Sequence, residues 1–544
     1  MDRIKALLLF CFLFTAAFVF GVPFDMILTG DSVLDDLRFL SLETGRPFLS
    51  MTPPLAPEEV RNFLNSIDES ALSPAALETY YRALDRLIRE PPPLSLSDER
   101  FSLFLNVDAT LVGRMRFNSD VSWYPHYPEI TPFLSFPVNY YISEYVQLFV
   151  ELSIAVRPGE YGLGNFDINI PSDYYTYNES MPLRAFLALG GDWWNFQIGR
   201  DRLYWGTAFS GSLVFSDNSQ YIDYARLSFF SSTTKYSFIV SHLPLTLYEH
   251  LFPQTDPVSE VDWNAPDIFT RSMHRYYYLH RFDITFFDKV SFSFMEGVLV
   301  GNSPLELQYL NPMVVFHSFF SWEYYDEWKA GIFSGTMNGS FLSIEINWNV
   351  ISSLSIYGQL AMNQFASPDE LSQNPAPNGI GYLAGAQYSH SFNNWGALFY
   401  FEFTYTDPYF YLSESPFGSF IQVDRFKQYY YIGYPRDTIA VTLGALFFNN
   451  NQYKVSGNFS WISNGEHDKN GLTWDWQRTS EAFAESTPYG KAENKFILSL
   501  AGEWQPYSWL VLKTEITGIL SFNNNHSGRT ETGGQVIVSA SFKY

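Results

Sequence analysis

From Phe101 to Tyr544 the hydropathy of this chain repeats every two residues, and few folds accommodate that repeat over such a length. Leu103, Leu105, Val107, Ala109 and Leu111 alternate with Asn106, Asp108 and Thr110. Val146, Leu148, Val150, Leu152 and Ile154 alternate with Gln147, Glu151 and Ser153, and Ala397, Phe399, Phe401, Phe403 and Tyr405 with Tyr400, Glu402 and Thr404. A period of two is the signature of β-strands. In a soluble sheet the apolar sides would meet in a core. Repeated on nearly every strand, they instead add up to an outer band. Glu151 and Glu402 fall on the other side, where a carboxylate is costly in lipid and cheap in a wet lumen.

The connections alternate as well. Short ones at 190–192, 231–234, 288–289, 349–353, 392–394, 449–452 and 505–508 are separated by long ones. The long ones run 201–222, 243–276, 301–339, 364–379, 407–437, 463–493 and 521–533. Short periplasmic turns and long outer loops are the habit of bacterial outer-membrane barrels. The fold class expected is an all-β transmembrane barrel of about eighteen antiparallel strands, an even number as such barrels require. That parity is expected to rest on residues 161–170 forming a strand. The last strand ends on Tyr544, with Phe542, Ala540, Val538 and Val536 on the same face, and resembles the signal read by the outer-membrane insertion machinery. A chain that is 19% aromatic, 17% charged and of mean hydropathy -0.10 suits such alternating faces.

Residues 1–21 read as a secretory signal peptide: Arg3 and Lys5, then the apolar run Ala6 to Phe20. The single cysteine, Cys11, lies within that run, so the mature chain is expected to carry no disulfide, thiolate metal site or cysteine nucleophile. Residues 22–97 break the period of two and read as a small periplasmic helical domain with three helices. The first covers 31–42. The second starts at Pro57, with Val60, Phe63, Leu64 and Ile67 inward, and the third at Ser73-Pro74, with Leu77, Tyr80, Tyr81, Leu84 and Ile88 inward. Residues 98–544 form the barrel. A net charge of -24 makes nucleic acid a poor partner. The nine histidines show no metal-ligand spacing, and neither HExxH nor G-x-S-x-G occurs. The expectation is a monomer in the bacterial outer membrane, in contact with its lipids, without metal, cofactor or enzymatic activity.

Three stretches resemble the capsule-assembly Wzi family. They are DLRFLSLETGRPFLS (36–50), GRDRLYWGTAFSGSLVFSDN (199–218), and the segment 280–312 with HRFDITFFDKV, FSFMEGVLVGN and YLNP. The family pattern has Trp-Gly-Pro-Gly and a later Ser-Asn-Asn; here Thr207-Ala208 follows Trp205-Gly206, and Asp217-Asn218 stands for the paired asparagines. The resemblance implies an outer-membrane lectin holding surface polysaccharide or lipopolysaccharide to the cell.

The stretch 190–230 concentrates the candidate glycan contacts. Arg200, Asp201 and Arg202 offer donors and an acceptor for sugar hydroxyls or carboxylates, or form an ion-pair network in the wall. Tyr204 and Trp205 are placed to stack on a sugar face, or belong to an interfacial girdle. Asn218 closes that loop. Glu296 shares strand parity with Phe292 and Phe294, which points it to lipid unless a bulge or a pairing with Arg281 turns it inward. Asn311, beside Pro312, reads equally as a turn or a contact, and Tyr434-Pro435-Arg436 marks a second loop. If these loops bind glycan, Trp205→Ala is expected to weaken binding and leave the barrel heat-stable. The competing reading of the same residues is a passive solute channel.

Overall fold

The computed structural model describes residues 24–88, 91–98, 101–118, 120–123, 131–156, 165–172, 184–216, 221–245, 275–301, 305–312, 314–316, 338–365, 377–413, 416–423, 429–449, 452–466 and 486–544. The expected signal peptide, Cys11 and Asn218 lie outside the described residues.

The chain closes into a barrel of 18 antiparallel strands. Each strand pairs with its neighbours in sequence, and the ring is sealed where the last strand, Glu531–Lys543, pairs with Asp108–Phe117 in the register Gln535↔Arg116 and Ser539↔Val112. Phe101–Leu105 and Asp108–Phe117 follow one another along the same partner, Leu134–Ile142, and make one spanning strand. Of the segment expected at 161–170, the described part contributes Phe166–Ile168, which pairs with Gly113 to Met115 on the upper part of that first strand. It does not take a place in the ring. The count stays even without it, so the parity did not depend on it.

Outward positions carry the apolar band. Ile198, Phe294, Ile346, Leu360, Phe401, Leu443, Leu498 and Val538 are all exposed, as suits side chains facing lipid. Near the short turns the band ends in aromatic residues, with Trp348, Trp395, Trp504 and Trp509 standing in a girdle; Tyr507 stacks on Trp509 at 5.2 Å. No helix among the described residues is long and apolar enough to cross a membrane; the strands do the crossing. This is an outer-membrane β-barrel.

Three helices occupy the short-turn mouth: α1 (Val33–Thr44), α2 (Pro57–Leu64) and α3 (Pro74–Leu87). Their ends follow from the sequence. Gly45 takes φ 64° after α1, a conformation that glycine adopts without strain. Pro57 and Pro74 sit in first turns, where a missing N–H costs nothing; Glu59 accepts from Ala56 N (3.0 Å), and Ser73 Oγ accepts from Ala76 N (3.2 Å). On α3 the buried side is Ala76, Thr79, Tyr80, Ala83 and Leu87, whereas Tyr81 and Ile88 are exposed. The large residues suggested a stripe rotated from the true one. Ala76 and Ala83 let α3 approach α1 closely, and Tyr81 instead donates to Glu69 (2.9 Å).

The helices do not merely lie beneath the wall. Phe39 packs edge-on against Phe448 of the wall at 5.0 Å, and Leu398 and Leu446 join the helices' own core. Phe24 fills the space beside Gly190, where a Cβ would fall 2.2 Å from its ring.

Candidate functional site

The lumen is where the sequence places its polar residues, and most of these are dry. Asn195, Gln197, Arg226, Ser228 and Lys235 all point inward and are buried. Most polar wall groups are therefore matched by protein rather than by water, as burial demands, although the amide of Gln197 meets no hydrogen-bond partner among the described residues. Arg226 donates to the carbonyls of Thr52 (3.1 Å) and Pro54. Lys235 pairs with Glu59 and donates to Thr52 Oγ1 (3.0 Å), and Asn349 Nδ2 donates to Ser41 O (2.8 Å). The amide of Gln147 joins Asp25 (2.8 Å) to the wall.

Above the helices, two connections fold inward. Residues 202–216, expected as an outer loop, enter the lumen, and their Leu203, Trp205, Leu213, Val214 and Phe215 are fully buried. The described part of the connection 407–437 meets them from the other side with Phe410, Tyr411, Phe420, Ile432 and Tyr434. Tyr434 N donates to Ser212 O (2.8 Å), and Ser216 N to Ile432 O (2.9 Å). Gly211 sits at φ 142° against the Tyr434 ring, where a Cβ would be 2.7 Å from Cδ2. The two stretches singled out in the sequence are thus brought together, but inside the barrel.

Wall residues that drew less notice hold these loops. Glu402 accepts from Phe209 N (2.6 Å) on one carboxylate oxygen and from Ser210 N (2.8 Å) on the other, and Tyr357 donates to it as well (2.5 Å). Glu345 accepts from Thr207 N (3.0 Å) and Thr207 Oγ1 (2.9 Å). Gln359 Oε1 accepts from Leu213 N (2.7 Å). Arg275 is fully buried and donates to Leu243 O (3.2 Å), Pro416 O (2.8 Å), Ser419 O (2.6 Å) and Ile421 O. Strand parity identified Glu402 as a lumen residue. The wet lumen it was expected to face is in fact the loop 202–216.

The other sequence candidates separate. Arg200 faces outward beside Asp223, at 3.4 Å, with both side chains exposed. Asp201, one residue on, faces inward, is fully buried, and pairs with Arg184 (2.9 Å) while accepting from Arg202 N (2.7 Å). The expected Arg200-Asp201-Arg202 cluster is split by the pleat, since neighbouring residues on a strand point to opposite faces. Tyr204 donates to Ala208 O (2.5 Å) within its own loop. Trp205 packs edge-on against Phe215 at 5.3 Å, with the Arg281 guanidinium 6.0 Å from its ring. It is not a surface platform for sugar. Arg436 is buried and donates to Pro408 O.

Arg281 and Glu296 lie on opposite faces of the wall, so the pairing that would have turned Glu296 inward does not form. Arg281 is in register with Met295 and faces the lumen; Glu296 is in register with His280 and faces outward, with no bulge on either side. Glu296 is nevertheless buried. Residues 305–312 and 314–316 lie along the outside of this wall, where Tyr309 and Phe316 cover Phe238, Val240, Tyr278 and Val298. Tyr236 there donates to Pro312 O (2.6 Å). Asn311 is an exposed turn in that strap, accepting from Val314 N (3.2 Å).

The arrangement defines a class: an outer-membrane barrel occupied by an N-terminal helical segment and two inward loops. No protein-family model matches the chain, and no curated protein matches it. Among solved structures it is similar to Wzi, an outer-membrane protein involved in group 1 capsule assembly in Escherichia coli and described as a carbohydrate-binding β-barrel. That likeness has a TM-score of 0.57 at 13% identity, over 94% of this chain and 98% of the other. The outer-membrane protein OprD from Pseudomonas aeruginosa matches with a TM-score of 0.39 at 10% identity, over 81% of this chain and 94% of its own. The fold is thus that of the Wzi barrel.

Proposed function

We propose that this protein holds or organises surface polysaccharide at the outer membrane and does so without catalysis. The observation that supports this reading over a passive channel is that the chain itself occupies most of the lumen. Helices anchored by Lys235–Glu59 and Arg226 stand under two apolar loops anchored by Glu402, Glu345 and Arg275. A general-diffusion channel keeps an aqueous path through such a barrel. The fold shared with a carbohydrate-binding barrel agrees with this reading. The glycan would meet the long-loop rim, where Arg200 and Asp223 are exposed, rather than Trp205.

The test is retention of the cell's own capsular, exopolysaccharide or lipopolysaccharide fractions on immobilised, folded protein, with and without calcium. Saturable binding of one fraction is expected. No binding of any fraction, together with large steady conductance steps in a planar bilayer, would replace the holding function with the channel.

A further inference from the structure

One side of the lumen is not filled. The N-terminal segment's hydrogen bonds to the wall run from Tyr141, which donates to Asp25, round to Lys454, where Asp35 of α1 meets Lys454 Nζ at 2.7 Å. Beyond that border lie the strands Tyr453–Asn464, Glu493–Tyr507, Leu510–Phe522 and Glu531–Lys543, followed across the seam by Asp108–Phe117. On the four strands from Tyr453 to Lys543 the inward residues near the short turns reach water and most of those toward the long loops are buried. On Asp108–Phe117, Val112 and Arg114 are already buried against Asn169 and Asp167.

The wall register orders them in rows. Lys454, Glu503 and Lys513 are mutually in register at the entrance, alternating in sign, and all three reach water. Two residues deeper along each strand comes Ser456, Ala501 and Glu515, still partly accessible. The next row is Asn458, Ser499, Thr517, Gln535 and Arg116. It is a belt of hydrogen-bonding groups: Ser499 and Thr517 hydroxyls are 3.0 Å apart, and Arg116 Nε donates to Gln535 Oε1 at 2.8 Å. Above this row Ile519 and Ser521 are buried. Lys495 and Glu493 form a fully buried pair at 3.0 Å, and Lys495 also donates to Ser122 Oγ (2.9 Å). The guanidinium of Arg116 lies 5.4 Å from the Trp123 ring, whose edge rests on Gly533, where a Cβ would be 2.6 Å away.

We propose that this side of the lumen is a blind, water-filled vestibule, open to small hydrophilic solutes from the short-turn end and closed at the long-loop end by Arg116, Gln535, Trp123, Lys495 and Glu493. Alternating charges at the entrance oppose one another, and hydroxyl and amide groups line the wall behind. Such a surface favours small, net-neutral polar solutes over ions of either sign. Passage farther would require parting the buried Lys495–Glu493 pair, which low dielectric makes costly. The vestibule is independent of glycan binding at the rim.

A thiol introduced into a Cys11→Ser background tests the space, since Cys11 is the sole cysteine. In folded protein, Ser499→Cys and Ser539→Cys are expected to react fully with a small methanethiosulfonate reagent and to exclude a polymer-linked maleimide. Failure of the small reagent at both positions would overturn the vestibule. The barrier is tested by planar-bilayer conductance in potassium chloride, with heat-modifiable gel mobility confirming the fold. Wild type is expected to show no steady steps. Trp123→Ala, or Glu493→Gln if the first does not fold, is expected to introduce them. Large steps in wild type, or none in a folded variant, would overturn the barrier.

Discussion

Arg281 and Glu345 stand two strands apart on the lumen wall with Arg281 Nη1 3.1 Å from Glu345 Oε2. Arg281 also holds Asp283 through Nε (2.8 Å) and Ser293 through Nη2 (2.9 Å), while the other oxygen of Glu345 accepts from Thr207. One guanidinium therefore couples wall strands to the inward loop through a single carboxylate.

Glu345→Gln keeps an acceptor for Thr207 but removes the charge that Arg281 meets. Hydrogen bonds to charged groups contribute about 1.5–3 kcal/mol, and a loss in that range is expected because Asp283 remains with Arg281. Chemical unfolding in lipid vesicles measures it. An unchanged midpoint would show that the loop does not depend on this contact.

Trp205→Ala should lower stability, against the sequence expectation of a heat-stable barrel, whereas Arg200→Ala should change stability little. Trp205 is fully buried, so its truncation leaves a cavity and a loss of about 3–5 kcal/mol. Arg200 and Asp223 are an exposed pair, where about 0–1 kcal/mol is at stake. Thermal unfolding of both variants, beside polysaccharide retention, checks this. A normally melting Trp205→Ala would contradict the inward loop.

Glu59 is the buried partner of Lys235 and also caps α2. Glu59→Ala leaves a buried ammonium uncompensated, which costs about 3–5 kcal/mol. The double variant Glu59→Gln, Lys235→Met removes both charges and is expected to recover most of that loss. If the double variant falls by the sum of two independent losses, the pair is not coupled.

Asp35 gives the helical segment a pH dependence. Burial raises its carboxyl pKa, but Lys454 and Arg38 together lower it more, leaving it below the ordinary 3.8. The folded state then binds this proton less readily than the unfolded chain. The stabilisation is present in full above about pH 3.8 and is lost as pH falls through the lower folded value. Lys454→Met should therefore melt below wild type at neutral pH and converge with it in stronger acid. A gap of constant size down to acid would assign the effect to packing of the lysine stem.

The ring itself was legible because the period of two and the alternation of connection lengths depend only on local sequence. Phe399, Phe401 and Phe403 announce an outward face whatever lies within. What lies within was not legible, for a physical reason. A lumen residue such as Gln197 or Glu402 is polar whether its partner is water or another segment of chain, and a sequence records only the polarity. Trp205, Leu213 and Phe215 likewise suit an exposed binding loop or an inserted one. Arg184 as the partner of Asp201 escaped notice because the two are joined only by the pairing of neighbouring strands. Arg200 beside Asp201 was the obvious choice in the chain and the wrong one in space.

The seam between the first and last wall strands joins the two ends of the ring. Arg116 and Gln535 are 419 positions apart, the kind of distant contact that forms late because of its loop-closure entropy. Helices and inward loops occupy the ring that this seam completes. The N-terminal segment bonds to that wall from Gln147 round to Lys454, so a ring left open at the seam would loosen its hold on the helices inside it. The final strand is in this sense a clasp, holding shut a vessel whose contents are pinned to its sides.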